Sequence, residues 1–361
     1  MTPDDVLIGI KPSKALATTA RSNTASGNVI NVNLKTHRLE IFVITKKTQW
    51  LACVLSLLFI GGIVRADDGV TFRYKPTSKE KPRYQTTLSM EQTQTIGEQK
   101  IIATMKQTSI NKWSLEKTDS KGDFHFRTET QQLKVKLKID PVGEYQFDST
   151  ADEQERGSVL SEALGSIYDR LATAAVTVTT SPLGEVKAVS GHKELLSDLL
   201  KDNPLGVQFA GGASDDAAKL NFSERFIIFS DKPVKPGDSW ETEFNALLEG
   251  IGHAKGKRIY NYVGPDKVGE VATEKFTVTL ELSIDIDIKA NGAEVKGSLS
   301  ASDSTGTIHF DPELGRVVSM KTGYTFGGDI NVTANGMSRA INTSQTQNVE
   351  RILLGEMPKI P

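Results

Sequence analysis

Cysteine is almost absent from this chain of 361 residues, since Cys53 is the only one. One cysteine can form no internal disulfide, and Cys53 lies before the point at which we predict the chain to be cleaved. The part that follows would therefore contain neither a thiol nucleophile nor a thiolate metal ligand. Its stability must come from a hydrophobic core, which a segment as long as 67–361 can supply.

The chain also lacks an excess of positive charge. Residues 1–66 hold eight Lys and Arg against three Asp and Glu, which leaves 35 basic and 42 acidic side chains in residues 67–361. Nucleic-acid binding needs a basic patch, and a mixed, slightly acidic composition does not provide one. We therefore predict no nucleic-acid partner.

Long hydrophobic runs are missing except for one, residues 51–64, LACVLSLLFIGGIV. This length is typical of the core of a signal peptide and is short for a membrane-spanning helix. Lys46 and Lys47 precede the run, and the small residue Ala66 closes it in a pattern that signal peptidases cleave. An uncleaved membrane anchor is the alternative.

We therefore predict a signal peptide at 46–66 with cleavage near Ala66. The protein would then be secreted or periplasmic, and peripheral to the membrane at most. Residues 1–45 are polar and without periodicity. They indicate either a long leader or a misassigned start codon.

Residues 67–361 contain no local signature of a catalytic or metal site. Their four histidines form none of the spacings HxH, HExxH or HxxxH. Asp285 and Asp287 share one face of a predicted strand, but without further acids nearby they fit a solvated sheet face better than a hydrolase or a calcium site. We expect no cofactor, no metal and no catalytic residue; the alternative is a hydrolase of envelope polymers whose acids come from distant strands.

What the sequence does contain is alternation of apolar and polar residues. Side chains alternate across a strand, so residues 276–288 predict an unusually long strand with one apolar face. That face is either the wall of a filled core or the wall of a container for an apolar ligand. Its members are the candidate ligand-binding residues: Phe276, Val278, Leu280, Leu282, Ile284, Ile286 and Ile288.

Other segments repeat the pattern. Residues 133–139 alternate apolar residues with three lysines, and 221–230 also reads as a strand. Glycine, proline and asparagine turn signals separate the strands, and βαβ alternation is missing. We predict a mainly β fold: a long antiparallel curved sheet, or an incomplete barrel, with one or two inserted helices. If the strands 133–139 and 282–288 pair, Lys136 and Asp285 face each other; two solvated faces explain the charges equally well.

One segment has helical periodicity instead. Residues 158–173 carry an apolar stripe made of Leu160, Leu164, Ile167 and Leu171, which predicts an amphipathic helix and a candidate lid over the sheet. Residues 192–203 predict a second short helix, and 205–218 a glycine-rich loop. We therefore expect residues 67–361 to form a single large β domain with a helical insertion at about 156–203.

Three turn-containing segments carry a resemblance: TTSPLGEVKAVSG (179–191), FSDKPVKPGDSWETEF (229–244) and TGTIHFDPELGRVVSMKTGYTF (305–326). With them the chain resembles a family of secreted proteins of unknown function common in planctomycete-type bacteria. The resemblance implies a signal peptide and a Thr-rich β domain, and no activity. Turn chemistry gives the matching residues a structural role: Gly184, Asp238, Trp240, Asp311 and Gly315.

The combination of long antiparallel strands, helices and apolar sheet faces is similar, at the level of fold, to the LolA/LolB-like half-barrel lipoprotein carriers. From this likeness we expect a non-catalytic envelope protein that binds a lipid or a lipoprotein in an apolar concave sheet. A structural protein with a filled core, which associates through its sheet edges, remains a further alternative.

Overall fold

The computed structural model describes residues 69–152, 159–195, 214–290, 293–334 and 336–355. Within these ranges the chain forms twelve strands: β1 (Arg83–Ile96), β2 (Gln99–Thr118), β3 (Phe124–Asp140), β4 (Gly143–Asp148), β5 (Ala175–Thr180), β6 (Val186–Ser190), β7 (Ser239–Leu248), β8 (Gly252–Val268), β9 (Val271–Ala290), β10 (Ala293–Asp311), β11 (Arg316–Ala334) and β12 (Met337–Leu354). The predicted signal peptide and leader lie outside the described residues.

Two helices interrupt the strands, α1 (Val159–Ala172) and α2 (Asp215–Ser223). Residues 192–195 are also helical, and the rest of the helix predicted at 192–203 lies outside the described residues. In the described ranges, no helix combines the length and the hydrophobicity that crossing a bilayer requires.

The strands form one antiparallel sheet in the order β6-β5-β3-β2-β1-β12-β11-β10-β9-β8-β7, and β4 pairs with β3 beside this path. Strands β1 and β12 pair along their whole length in the middle of the sheet, from Arg83 opposite Leu354 to Ile96 opposite Ile341. Among the described residues, the edge strands β6 and β7 do not pair with each other, so the sheet stays open. The predicted fold class, a long open antiparallel sheet with inserted helices, is confirmed.

The position of α2 shows that the sheet is strongly curved. Ten strand intervals of about 4.8 Å would place β6 and β7 about 48 Å apart in a flat sheet. Yet α2, about 14 Å long at 1.5 Å per residue, packs against both edge strands. The sheet must therefore bend until its two edges lie on either side of one short helix.

Ser214 both starts α2 and fastens it to an edge strand. Its Oγ accepts a hydrogen bond from the Ala217 amide at 3.1 Å, as an N-cap does, and donates to the Leu247 carbonyl of β7 at 3.1 Å. The loop predicted at 205–218 is wrong for the last part of that range, because α2 begins at Asp215. The cap Ser214 followed by Asp215 and Asp216 favours a helix start, since carboxylates stabilise the first turn.

An aromatic cluster fills the space inside the curved sheet at one end of the long strands. We call this end of the sheet the filled end. Phe276 of β9, Phe310 of β10 and Tyr262 of β8 meet there. Their rings pack around two segments outside the sheet, represented by Phe72 and Phe229: the centroid distances are 5.2 Å for Phe72–Phe276 and 4.7 Å for Phe229–Phe310. Edge-on contacts of this kind add stability beyond the apolar area they bury.

The segment after α2 is not the strand that its sequence predicts. Residues 224–230 pair with no neighbouring strand and lie inside the curved sheet as an irregular plug. Other groups satisfy its backbone: the Ile227 amide donates to the Tyr74 hydroxyl at 3.0 Å, and the Ile228 carbonyl accepts from Trp240 Nε1 at 2.7 Å. A run of apolar residues fits either setting, which is why the strand prediction failed here.

A second, smaller cluster lies where α1 crosses β3 and β4. Leu164 and Ile167 of the helix are buried there against Val135 of β3 and Phe147 of β4. The ring of Tyr168 stacks on Tyr145 at 5.8 Å. The helical stripe and the apolar face of 133–139 therefore cover each other.

The hypothesis that the lysine-faced and aspartate-faced strands pair is wrong. Strand β3 pairs with β2, β4 and β5, and β9 pairs with β8 and β10. The nearest cation to Asp285 is Lys255 of β8 at 3.2 Å, and Lys134 of β3 pairs with Asp148 of β4. Both strands pair with their neighbours in the sequence, β9 with β8 and β10 and β3 with β2 and β4, because short turns join these strands into hairpins.

Candidate functional site

The apolar face of β9 changes its surroundings along the strand. Phe276 is fully buried and Val278 is 9% exposed, and both belong to the aromatic cluster of the filled end. The following five residues on the same face, from Leu280 to Ile288, are only half-buried, and neither described hydrophobic cluster includes them. The face is thus filled core at one end and accessible at the other.

Neighbouring strands extend the accessible part. In the sheet register Ile288 lies opposite Val295 and Ile284 opposite Leu299, and directly opposed residues project from the same face. Strand β11 adds further apolar side chains to this surface. We call the whole set the open patch; it consists of Leu282, Ile284, Ile286, Ile288, Val295, Leu299, Phe326 and Ile330, all half-buried.

Glycines let the strands bend sharply under the open patch. A Cβ atom on Gly297 of β10 would lie 2.4 Å from the Asp329 carbonyl oxygen of β11, and one on Gly256 of β8 would lie 2.0 Å from the Glu281 oxygen. No other residue fits such a close approach of two backbones. The concave shape of this half is therefore built into the sequence at these positions.

A buried cation marks the inner end of the open patch. Arg258 of β8 lies opposite Leu280 and so projects from the same face as the apolar residues. It is 7% exposed, and its guanidinium lies 5.0 Å from the centre of the Phe244 ring. Among the described residues Arg258 has no carboxylate within 4.0 Å, and its Nη2 has no hydrogen-bond partner.

Beside Arg258 is a cavity of about 50 Å³. Its walls include Ile308 and Met320 of the aromatic cluster and Leu280, which precedes the open patch on β9. Tyr260 also lines the cavity, and its buried hydroxyl interacts with the Ile228 backbone and the Thr242 side chain. Burial raises the pKa of Tyr260, so this hydroxyl stays protonated.

Glu224, from the irregular plug, also lines the cavity. Its side chain is surrounded by many protein atoms yet remains exposed to solvent. Burial raises the pKa of Glu224, and the charges of Arg258 and Arg225 only partly oppose this. Glu224 makes no ion pair within 4.0 Å in the described part of the chain.

Two further arginines lie on the other side of the plug. Arg351 is buried, donates to the Arg225 carbonyl at 2.6 Å and lies 3.8 Å from the centre of the Tyr84 ring. Burial, followed by the charge of Arg351, lowers the pKa of Arg225 to about 10. Arg225 of the plug and its neighbours Arg258 and Arg351 thus outnumber Glu224, the single carboxylate of that segment.

The structure brings the candidate residues together only in part. The seven residues of the β9 face share one surface, but the helix residues lie elsewhere: Leu160, Leu164 and Ile167 are buried over β3 and β4, and Leu171 is half-buried there. Sequence reasoning missed Arg258, Tyr260 and Glu224. The available signal was that Arg258 occupies an inward position in the alternation of β8, between Gly256 and Tyr260.

The turn residues lie at the filled end. Gly184 has φ 93° and Gly315 has φ 60°, a region that favours glycine. The carboxylate of Asp311 accepts from the Glu313 and Leu314 amides at 2.9 Å, and that of Asp238 accepts from the Lys235 amide at 2.8 Å. These positions shape turns and do not face the open patch.

Of the two acids considered from the sequence, Asp285 has partners on the outer face and Asp287 is exposed beside it. Lys255 holds the pKa of Asp285 below its usual range through a hydrogen bond, and Asp285 also accepts from Ser298 at 3.3 Å. Within the described ranges, no three His, Cys, Asp or Glu side chains are grouped to hold a metal ion.

A model of one protein family matches residues 121–317, which is more than half of the chain; the family is described as of unknown function, DUF6263. The chain belongs to this family. The match runs from the turn after β2 to the first two residues of β11, and it includes the plug and Arg258. No curated protein is detectably similar to this family member in sequence.

Solved structures show only distant likeness. A structure titled for lipid–protein interactions in lipovitellin is 9% identical with a TM-score of 0.40; the match covers 79% of this chain and 26% of lipovitellin, so the chain spans about a quarter of that protein. The Pseudomonas aeruginosa protein OccK5 is 6% identical at a TM-score of 0.18, with 77% and 99% covered. The β domain of the Bordetella autotransporter BrkA is 10% identical at 0.21, with 75% and 98% covered. These scores are too low to assign a shared fold.

Proposed function

We propose that this protein is a non-catalytic binding protein of the cell envelope. Its ligand is an acyl chain, of a lipid or of a lipoprotein, held against the open patch. The observation that carries the proposal is the change in burial along β9, where one continuous apolar face is core from Phe276 to Val278 and accessible from Leu282 to Ile288.

The accessible apolar surface has an energetic cost in water. Each Å² of apolar surface removed from water contributes about 25 cal/mol, so covering the remaining surface of eight half-buried Leu, Ile, Val and Phe side chains favours an apolar occupant. Contiguous apolar patches on a concave surface are typical of ligand-binding sites. The sheet provides such a surface without any catalytic group aimed at it in the described residues.

The strands of the open patch favour an acyl chain over an added peptide strand. A peptide that extends a sheet needs a free strand edge. Strands β9, β10 and β11 each pair on both sides, so their backbone groups are already engaged. From Leu280 to Ile288 the face runs for about 26 Å. One half of a bilayer's hydrocarbon core is about 15 Å thick, so an acyl chain fits along it.

The compartment is supported by the sequence at 46–66. An apolar run after two lysines and before a small residue is typical of an export signal. A protein that shields acyl chains from water is useful where these chains must cross an aqueous space between or beyond membranes. The net charge of residues 67–361, with 42 acidic against 35 basic side chains, suits a protein that does not adhere to anionic membrane surfaces.

Native mass spectrometry of residues 67–361, purified from the envelope of the native host, tests the proposal. We expect a bound mass that organic extraction releases and that lipid analysis identifies. After delipidation, we expect a fluorescent acyl probe to bind, and the double variant Ile284→Gln, Ile286→Gln to weaken its affinity at least tenfold. The loss follows because two apolar contacts become polar at nearly constant volume.

The matched control is Ser283→Gln, which carries the same new side chain on the opposite face of the same strand. We expect its probe affinity to stay within about twofold of the unmodified chain. A delipidated chain that binds no acyl probe, or a control that loses as much affinity as the double variant, would contradict the proposal.

A further inference from the structure

Arg258 is a buried cation without a close ion-pair partner in the described structure. A buried guanidinium normally pairs with a carboxylate, because an unpaired buried charge is strongly unfavourable. Arg258 is 7% exposed, yet among the described residues it has no carboxylate within 4.0 Å and its Nη2 has no hydrogen-bond partner. Arg258 lines the cavity beside Leu280, and Glu224, which also lines it, acts on Arg258 only from beyond ion-pair distance.

The cavity lies at the end of the half-buried part of the β9 face, next to the filled end. Leu280, the first half-buried residue after the core, lies opposite Arg258 and also lines the cavity. A ligand whose chain lies on the open patch from Ile288 towards Leu280 therefore brings its end group to the guanidinium. The cavity, of about 50 Å³, has room for a small end group beside the guanidinium.

The charged groups around the cavity set the sign of that end group. Arg258 faces it from β8 and Glu224 from the plug, while Arg225 of the plug and Arg351 of β12 line a separate cavity. Among these four groups three are cations, and Glu224 forms no ion pair with Arg258 within 4.0 Å, which leaves the guanidinium open to an incoming anion. Arginine presents a planar pair of donors that matches a carboxylate.

From this geometry we infer that the ligand is a single-chain amphiphile with a terminal carboxylate, bound with its carboxylate on Arg258 and its chain on the open patch. This inference rests on the proposed function, since it names the substrate class of the same site. It adds that the site selects for an anionic end group and not only for an apolar chain.

The test compares two probes of equal chain length, hexadecanoate and hexadecanol, on delipidated residues 67–361 at submicellar concentration. We expect hexadecanoate to bind at least tenfold more tightly, because charge-assisted hydrogen bonds contribute more than neutral ones. The variant Arg258→Met should remove this preference while hexadecanol binding stays within about twofold. The control Lys255→Met removes an outward cation of the same strand and should leave the preference unchanged.

The outcomes separate the two proposals. Equal binding of both probes by the unmodified chain would overturn the inference about the end group and leave the proposed function in place. Binding of neither probe would end both. Should Arg258→Met not fold, Arg258→Lys keeps the charge but loses the planar donor pair, and we expect it to reduce the preference; an Arg258 variant that folds and keeps the full preference would overturn the inference.

Discussion

At the scale of single residues, Glu129 on β3 shows how ion pairs on the outer face of the sheet stabilise the fold. Lys112 Nζ lies 2.5 Å from its carboxylate and Arg127 Nε lies 2.9 Å away. The hydrogen bond from Lys112, followed by the one from Arg127, lowers the pKa of Glu129 from 4.5 to about 2. The folded state therefore favours the ionised form more strongly than the unfolded state does.

The sign of the effect on stability follows. Because the folded pKa is the lower one, Glu129 stabilises the fold fully above about pH 4.5, and this contribution is lost as the pH falls towards 2. We expect Glu129→Gln to lower the urea midpoint at pH 6 and to have a progressively smaller effect at pH 4 and pH 3. A difference between the two proteins that stays constant over this range would show that the ion pairs do not act through the charge of Glu129.

Some residues of the candidate site could be predicted from the sequence, and others could not. The β9 face could be predicted, because its alternation is uninterrupted from Phe276 to Ile288. Arg258 was predictable in principle as a charge on the inward side of β8. Glu224 was not, because its position depends on a segment without periodicity that only the packing of the whole molecule places inside the sheet.

At the scale of elements, α1 packs on β3 and β4. The sequence predicts the helix and the apolar face of β3 separately, but not their contact. The helical stripe and the alternation of 133–139 are each visible, but the match between them depends on β4, whose Tyr145 and Phe147 complete the cluster. The helix therefore covers β3 and β4. Six places separate β3 from β9 in the sheet order, so the open patch belongs to a different part of the sheet.

This packing predicts the effect of a truncation in α1. Ile167 is 4% exposed, and replacing a buried Ile by Ala typically costs about 2–5 kcal/mol through lost contacts and the cavity that remains. We expect Ile167→Ala to lower the free energy of unfolding in urea by an amount in this range. Ser166→Ala, on the exposed side of the same helix, should change it by less than about 0.5 kcal/mol. Equal effects of the two substitutions would show that α1 is not packed on the sheet.

Turns form the other class of element that the sequence describes well. A Cβ atom on Gly184 would lie 2.3 Å from the Ile227 carbonyl oxygen, so the turn between β5 and β6 presses directly on the plug. The Phe229 amide donates to the Leu183 carbonyl at 2.9 Å beside it. The turn motif could be recognised in the sequence, but the contact that requires glycine at position 184 is made with Ile227, which is distant along the chain.

At the scale of the whole molecule, the sheet order links both halves of the chain. The aromatic cluster takes residues from β2 and β3 as well as from β8 to β11, with the plug between them. Pairing of β1 with β12 makes the sheet continuous across its middle. The antiparallel class was predictable from strand lengths and turns, whereas the junction of first and last strand was not, because long-range pairing leaves no local signal.

This architecture predicts a single unfolding transition for residues 67–361. Trp113 on β2 and Trp240 on β7 are the two tryptophans of this part of the chain, and they report on opposite halves of the sheet. We expect single-tryptophan proteins made by Trp240→Phe and Trp113→Phe to give the same urea midpoint by fluorescence as by far-ultraviolet circular dichroism, after correction for the stability of each variant. Two separate transitions would mean that the halves fold as independent domains.

The pairing of β1 with β12 also sets an order in time. A ribosome delivers β1 before β12, the strand that covers its second edge, and ten other strands are made in between. Until then β1 exposes a row of unpaired backbone groups, and contacts between distant parts of a chain form slowly. The newly made β1 must therefore avoid pairing with other chains while β2 to β11 are made, before β12 can complete the sheet.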